Sequence, residues 1–398
     1  MALTVKENTK VAVEIESTEG TYAAPTSAAS FVQTLTDGTE LNPAKELLER
    51  NVFNGSIGKS TPRTGMKSVS ASMPVEMRAG ENEGDAPEAN ALLLSALGQT
   101  RGNSLNFASG TGNTNSTIQV NDADIGKVKI GDIVVLKVNG AYHITPVTNV
   151  SEVLGSGNFR MLRPTTSPAP DATMVSAFKT YYTSDSGHPS LSVSKYVQDA
   201  VLEKAIGCRV TSMSLEGFET GQLASFNFSL DGMSWDRVLS APAFTPDYDS
   251  SLPPIILSAC VYQDGVDLPV NAFSFSLENT LGFQTSTCSP NGRIGSRVTS
   301  RTITGSINPY KQDNDLTQFN HFKSGDEFSL FAFAYIPALD GNSNPTGNFT
   351  QAVAFYLPKC IITEIKESDQ DGLLVEDISW QASRGADGLT EELYISFI

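Results

Sequence analysis

Chemistry in this chain would have to come from few side chains. The 398 residues include only three histidines, His143, His188 and His321. None stands at metal-ligand spacing from another ligand type, and no G-x-S-x-G elbow accompanies them, so neither a metal site nor a nucleophilic triad is indicated. Four cysteines, Cys208, Cys260, Cys288 and Cys360, form no C-x-x-C pair and no dense disulfide framework. They read as small apolar packing residues of a chain made in a reducing cytoplasm. Glu367-Ser-Asp369-Gln-Asp371-Gly372 opens like a calcium loop, but its twelfth position is Ile378, where a bidentate glutamate is required. Gly155-Ser-Gly157 lacks the third glycine of a dinucleotide loop. The residue inventory therefore points to a non-enzyme with no cofactor and no metal.

Charge narrows the partners. The net charge is −17 and is dispersed, without a block of like charges. Such a chain is poorly suited to a nucleic-acid groove, which needs clustered Lys and Arg to displace counterions, or to an anionic membrane. Met1 to Val13 holds no long apolar run, so neither a secretory leader nor a membrane span is expected.

The strongest signal is internal similarity. An offset of 230 places Arg293-Ile-Gly-Ser-Arg297 on Arg63-Thr-Gly-Met-Lys67, Ile303 on Met73 and Ile307 on Met77. An offset of 152 places Cys360 on Cys208, Ile362 on Val210 and Trp380 on Phe228. The frames differ by 78, so the first copy should carry an insertion of about that size between residues 94 and 208. The expected organisation is one unit from 1–114 and 183–250, a small inserted β domain at 115–182, and a second unit at 251–398.

Hydrophobic patterning places the elements. Residues 10–16 and 68–77 alternate as half-buried strands, the latter with Val69, Ala71, Met73, Val75 and Met77 against serines and Glu76. Ala89, Leu92, Leu93 and Ala96 form a helical stripe ended by Gly98, and a second helix is expected near Asp315 to Phe322. Pro43 to Glu49 reads as a helical turn with Pro at its start, or as extended structure. Residues 51–67 and 279–296 read as long polar loops, and 99–116 as a linker. Short strands separated by Gly131-Asp132 and Asn139-Gly140 turns fill the insertion. The segment Pro246 to Pro254 separates the halves, and the closing Leu393, Ile395 and Phe397 suggest a paired last strand. The fold class is all-β with minor α.

In this order the chain resembles the major tail tube proteins of long, flexible-tailed bacteriophages. The resemblance rests on the opening strand, Ser17-Thr-Glu-Gly-Thr-Tyr-Ala-Ala-Pro25, the polar stretch ending Arg63-Thr-Gly65, the strand to Met77, and Asn82-Glu-Gly-Asp-Ala-Pro87 leading to Leu92-Leu-Leu-Ser-Ala-Leu-Gly98. It implies tandem β-sandwich or barrel units, each flanked by a short helix, whose inner sheets join those of neighbours around a lumen. Six units usually make a ring and rings stack, so two units per chain imply a trimeric, pseudo-sixfold ring, with a hexamer as the fallback. Implied partners are further copies, the tape measure protein and genomic DNA in the lumen, and terminator and baseplate or distal tail proteins at the ends. The implied place is the virion tail, assembled in the host cytoplasm. Arg63, Lys67, Arg293 and Arg297 become candidates for contacts between rings. The competing readings are a tail-terminator or baseplate relative and a β-sandwich adhesion or carbohydrate-binding virion protein.

Overall fold

The computed structural model describes residues 8–398 apart from 54, 56, 83, 103–104, 122–123, 125, 139, 154–155, 290, 314, 340–344 and 386–390. The expected turn at Asn139 and the glycine pair beginning at Gly155 therefore fall partly outside the described residues. The first half runs β1 (Thr9–Ile15), β2 (Phe31–Val32), β3 (Glu40–Arg50), β4 (Ser60–Glu76), helix α1 (Asn90–Leu97) and β5 (Gly98–Arg101). Next come β6 (Leu105–Ala108), β7 (Thr117–Val120), β8 (Ile133–Val138), β9 (Ala141–Val153), β10 (Ser156–Met161) and β11 (Met174–Ala177). The first half resumes with β12 (Lys179–Thr183), β13 (Leu191–Val197), β14 (Val201–Glu216), β15 (Ser225–Gly232) and β16 (Ser234–Leu239). The second half holds β17 (Ala259–Gln263), β18 (Val266–Asp267), β19 (Val270–Thr285), β20 (Arg293–Pro309) and helix α2 (Thr317–Ser324). It ends with β21 (Phe328–Leu339), β22 (Pro345–Gln370), β23 (Leu373–Ala382) and β24 (Tyr394–Phe397).

Strands β1–β5 and β12–β24 belong to one pairing network, and β6–β11 form a separate sheet. Within the network, the antiparallel pairs β1–β2, β1–β13, β3–β4, β4–β15, β13–β14, β14–β15 and β14–β16 recur as β17–β18, β17–β21, β19–β20, β20–β23, β21–β22, β22–β23 and β22–β24. Each half also bends one strand in the same way. The β14–β15 register shifts between Val210 and Ser212, and the β22–β23 register between Ile362 and Glu364, so Thr211 and Thr363 are bulged. Both bulged hydroxyls donate across the hairpin at 3.1 Å, Thr211 to the Ser229 carbonyl and Thr363 to that of Ser379.

These registers correct the frames read from sequence. Ser72 lies opposite Ser229 and Ser306 opposite Ser379, which moves the offset for β4 and β20 from 230 to 234 and makes Leu230, not Phe228, the counterpart of Trp380. Arg63 then corresponds to Arg297. A shift of four keeps the side-chain parity of a strand, so hydrophobic alternation alone could not reveal it.

One open alternative is decided and two further expectations are corrected. Pro43 to Glu49 is extended within β3, because the ladder to β4 overrides a weak helical propensity, and Pro43 sits where β3 is an edge. The two polar loops are largely strand: Ser60–Lys67 belongs to β4, and 279–285 with 293–296 belong to the β19–β20 hairpin. Neither arm buries a face, so no alternation marked it. Residues 99–116 contain β5 and β6 rather than a plain linker.

One main core spans both halves, from Val11 and Met73 through Phe226 and Phe228 to Phe273, Phe355 and Trp380. Burial of these side chains, at roughly 25 cal/mol per Å² of apolar surface, is what holds the halves together. The β6–β11 sheet has its own core, with Phe107, Ile118, Leu136, Phe159 and Val175. It takes in Leu105–Ala108, ahead of the expected start at 115, while Lys179–Thr183 pairs in the main network with β5 and β24. A third cluster docks this sheet on the second half: Ile133, Val135, Ile144 and Phe178 meet Tyr262, Phe331, Phe333 and Tyr394. Arg101 pins the contact, pairing with Asp132 at 2.6 Å while its guanidinium lies over Tyr182 and Tyr394. The segment between the halves has no strand from 240 to 258. It is fastened by Arg78, which donates to the carbonyls of Asp249 and Ser251 and pairs with buried Glu88 at 2.8 Å.

Candidate functional site

Eight strands follow one another by hydrogen bonding in the order β3, β4, β15, β14, β19, β20, β23, β22. The β14–β19 step, with Ser212–Leu215 opposite Glu278–Phe275, is where the halves join. Alternation splits this wall. One face carries the buried Val69, Met73, Met213, Phe226, Phe228, Phe275, Leu277, Ile303 and Trp380. The other exposes or half-exposes Ser70, Ser72, Ser214, Asn227, Ser229, Ser274, Ser276, Thr302, Thr304 and Ser379. Charged residues on that face include Glu40, Glu76, Glu216, Asp231, Glu278, Glu364 and Asp377, with Lys366 as a basic exception. A sheet packed on one side and covered with short hydroxyls and carboxylates on the other is a wall with water along it.

At the join, Arg209 on β14 is 4% exposed and makes a fan of contacts. It pairs with Glu19 at 2.8 Å, donates to Ser296 Oγ at 2.9 Å, and also donates to the His188 carbonyl. Glu19 further accepts from the Ser296 amide and from Arg297 at 3.0 Å. Burial alone would raise the Glu19 pKa, but the Ser296 amide and the Arg209 charge outweigh it and hold the carboxyl below its usual value. Sequence reasoning missed this cluster. Its members lie far apart in the chain and no local pattern marks them.

The four cations chosen from sequence lie on the two arms but in different settings. Arg63 stands exposed on β4 opposite Leu48, and Lys67 lies 5.3 Å from the centre of the Trp235 ring. Arg293 stacks over Phe283 at 4.0 Å. Arg297 joins the Glu19 cluster with 77% of its side chain exposed. Arg293 and Arg297 thus share one strand of the second arm but have different partners, and Gly292 at that arm's turn approaches Met66 of the first.

The histidines are structural. His143 Nε2 lies 2.8 Å from the Arg163 carbonyl, and burial pushes its pKa down to about 4. His188 bonds the Ser95 and Ser184 carbonyls, and His321 packs edge-on against Phe328. Among the described residues no group of His, Cys, Asp and Glu could hold a metal ion. Asp371 and Gly372, both at positive φ, form the β22–β23 turn within the run whose twelfth position lacks the glutamate of a calcium loop. Trp380 is buried in the core, and Trp235 donates to the Ala44 carbonyl, so neither tryptophan forms an open stacking platform.

Fold and face together define a protein of the all-β class with minor α, built around one large sheet that is packed on one side and polar on the other. The chain belongs to the phage tail tube protein family, which matches residues 7–382. Membership makes it a structural part of the phage tail that assembles with itself into a tube. No curated protein matches the chain.

Proposed function

We propose that the chain carries two copies of the tube unit and that three chains close into a pseudo-sixfold ring. Rings then stack into the tube of a long, flexible tail, and the hydroxyl-and-carboxylate face lines the lumen. The observation that supports this reading is the set of seven strand pairings that recurs in the two halves, with a bulged threonine at the same place in each. The face suits passage of DNA. Its acids repel phosphate, so the genome slides and is not held, and no basic groove is present on it to release counterions. This role needs no catalysis.

The tape measure protein occupies the lumen during assembly in the host cytoplasm, and terminator and baseplate proteins cap the ends. The β6–β11 sheet decorates the outside of the second unit. The arms carry ring-to-ring contacts, with Arg63 and Arg297 meeting acidic patches of the next ring. Electron microscopy of the purified protein tests the reading. Stacked rings with a central hole are expected. Rings that close but never stack would point to a terminator or baseplate relative, and a chain that stays monomeric at every concentration, even with a tail initiator complex, would contradict it.

A further inference from the structure

The wall is open at both ends, and the molecule contains a template for what belongs there. Among the described residues β3 pairs on one side only, with β4, and Ile361–Gln370 of β22 on one side only, with β23. These edges are the counterparts of the two strands that meet at the internal join. Residues 364–367 correspond to Ser212–Leu215 of β14 at an offset of 152, fixed by the shared bulge. Residues 41–44 correspond to Phe275–Glu278 of β19 at an offset of 234, fixed by the cross-strand serines.

Burial differs between template and edges. Met213, Leu277 and Phe275 are at most 2% exposed at the join. Their counterparts Ile365 and Leu41 are half-buried, and Pro43 is exposed. The flanking helices differ in the same sense. Asn279 on β19 reaches across the join to the Ala96 carbonyl of α1 at 2.9 Å. By contrast α2, which packs against β22, leaves Leu316, Phe319 and Phe322 exposed at 61, 51 and 43%. Core-type positions uncovered beside an unpaired edge mark a missing strand.

We infer that this edge of β22 takes the β3 edge of a second copy of the chain, antiparallel, with Glu364 opposite Ala44, Ile365 opposite Pro43, Lys366 opposite Asn42 and Glu367 opposite Leu41. The inference rests on the ring reading and gives its seam a register. In that register Lys366 lies diagonal to Glu40 of the neighbour, within reach for an ion pair. Lys45 takes the place of Asn279 and comes to the C-terminal end of α2, where a cation is favoured by the helix dipole. Leu316, Phe319 and Phe322 are covered. Pro43, which has no amide hydrogen, and the charged run at 364–367 blunt the two edges before assembly, as exposed edges of soluble β proteins require.

Cysteine cross-linking tests the register. With Cys288→Ser removing the exposed native thiol, Asn42→Cys combined with Lys366→Cys should give covalent dimers and trimers on mild oxidation of assembled rings. Asn42→Cys with Glu364→Cys, two residues out of register, should give at least tenfold less. Rings that form but cross-link equally at both pairs, or only at the second, overturn the seam and leave the ring reading intact. Failure of the unmodified chain to assemble overturns both. Amide hydrogen exchange on the unmodified chain covers the case in which the variants do not fold. Residues 40–45 and 363–368 should exchange at least tenfold more slowly in rings than in free chains, and unchanged exchange there contradicts the seam.

Discussion

On the proposed seam, the internal join and the outer edges are two versions of one contact, and the chemistry at each suits its timing. The join forms as the chain folds, so it can hold a buried ion cluster that must be complete from the start: Arg209, Glu19, Ser296 and Arg297. At the outer edge Arg209 is replaced by Ile361, at the same offset that relates the two bulged threonines, and Arg297 by Arg63. A buried ion pair left half-made is expensive, whereas an apolar position waiting for a partner costs little. The edge that must exist in water as a free chain therefore carries the simpler set.

The largest way to break this comparison is Arg209→Ala. It removes the buried partner of Glu19, Ser296 Oγ and the His188 carbonyl, leaving Glu19 to Arg297 and the Ser296 amide, and should destabilise the chain by about 3 kcal/mol, the low end of the cost of removing one partner of a buried pair. Urea unfolding measures it, with Ile361→Ala at the counterpart position expected to cost much less. Equal losses at the two positions would mean that the ion cluster contributes nothing special to the join.

A second effect tests how the two halves fill equivalent layers. Ala71 lies opposite Leu230, and at the counterpart Gly305 lies opposite Trp380. A Cβ on Gly305 would run into the Trp380 ring and the Ser274 carbonyl. Gly305→Ala should therefore cost about 1–3 kcal/mol through overpacking. Trp380→Leu, which recreates the pair of the first half, should recover part of that loss in the double variant. A purely additive double mutant, in thermal unfolding, would separate the two halves' packing.

Acid should loosen the join next. The folded Glu19 pKa lies below its reference value of 4.5, so its contribution is present above that pH and is lost as pH falls through the folded value. Stability of the intact chain should decline more steeply below about pH 4.5 than that of Glu19→Gln. Identical pH profiles would remove Glu19 from the account. The smallest expected effect is at the bulges, where Thr211→Val and Thr363→Val should each cost about 0.5–1.5 kcal/mol, and by nearly the same amount. A large inequality would show that the two bulges bear different loads.

The sequence made legible those elements that bury one face. β1, the 69–77 part of β4, α1 and the paired terminal strand β24 all carry a clean apolar period, and the wall's inner layer follows from it. The arms resemble loops in sequence because neither buries a face, so that scattered apolar residues such as Leu48, Met66 and Ile294 stay exposed without a period, and only the ladder between partners shows that they are strand. Pro43 favoured a helix start locally and occupies a sheet edge instead. The order of the recurring strand pairs was visible, but the offset was wrong by four for β4 and β20 and by two for β15 and β23, because neither turn lengths nor bulges can be seen in an ungapped alignment. Cys208-Arg-Val-Thr211 and Cys360-Ile-Ile-Thr363 were the better anchors, since there the bulged threonine lies at the same distance from the cysteine. The Arg209 cluster had no sequence signal at all, since it depends on the close approach of a loop, a strand and an arm.

Native mass spectrometry of rings released from assembled tubes tests the central claim most directly. The account predicts a closed species of three chains, each of 42.5 kDa, with both units of every chain in the wall. A closed species of six chains would contradict it, since only one unit of each chain would then line the lumen.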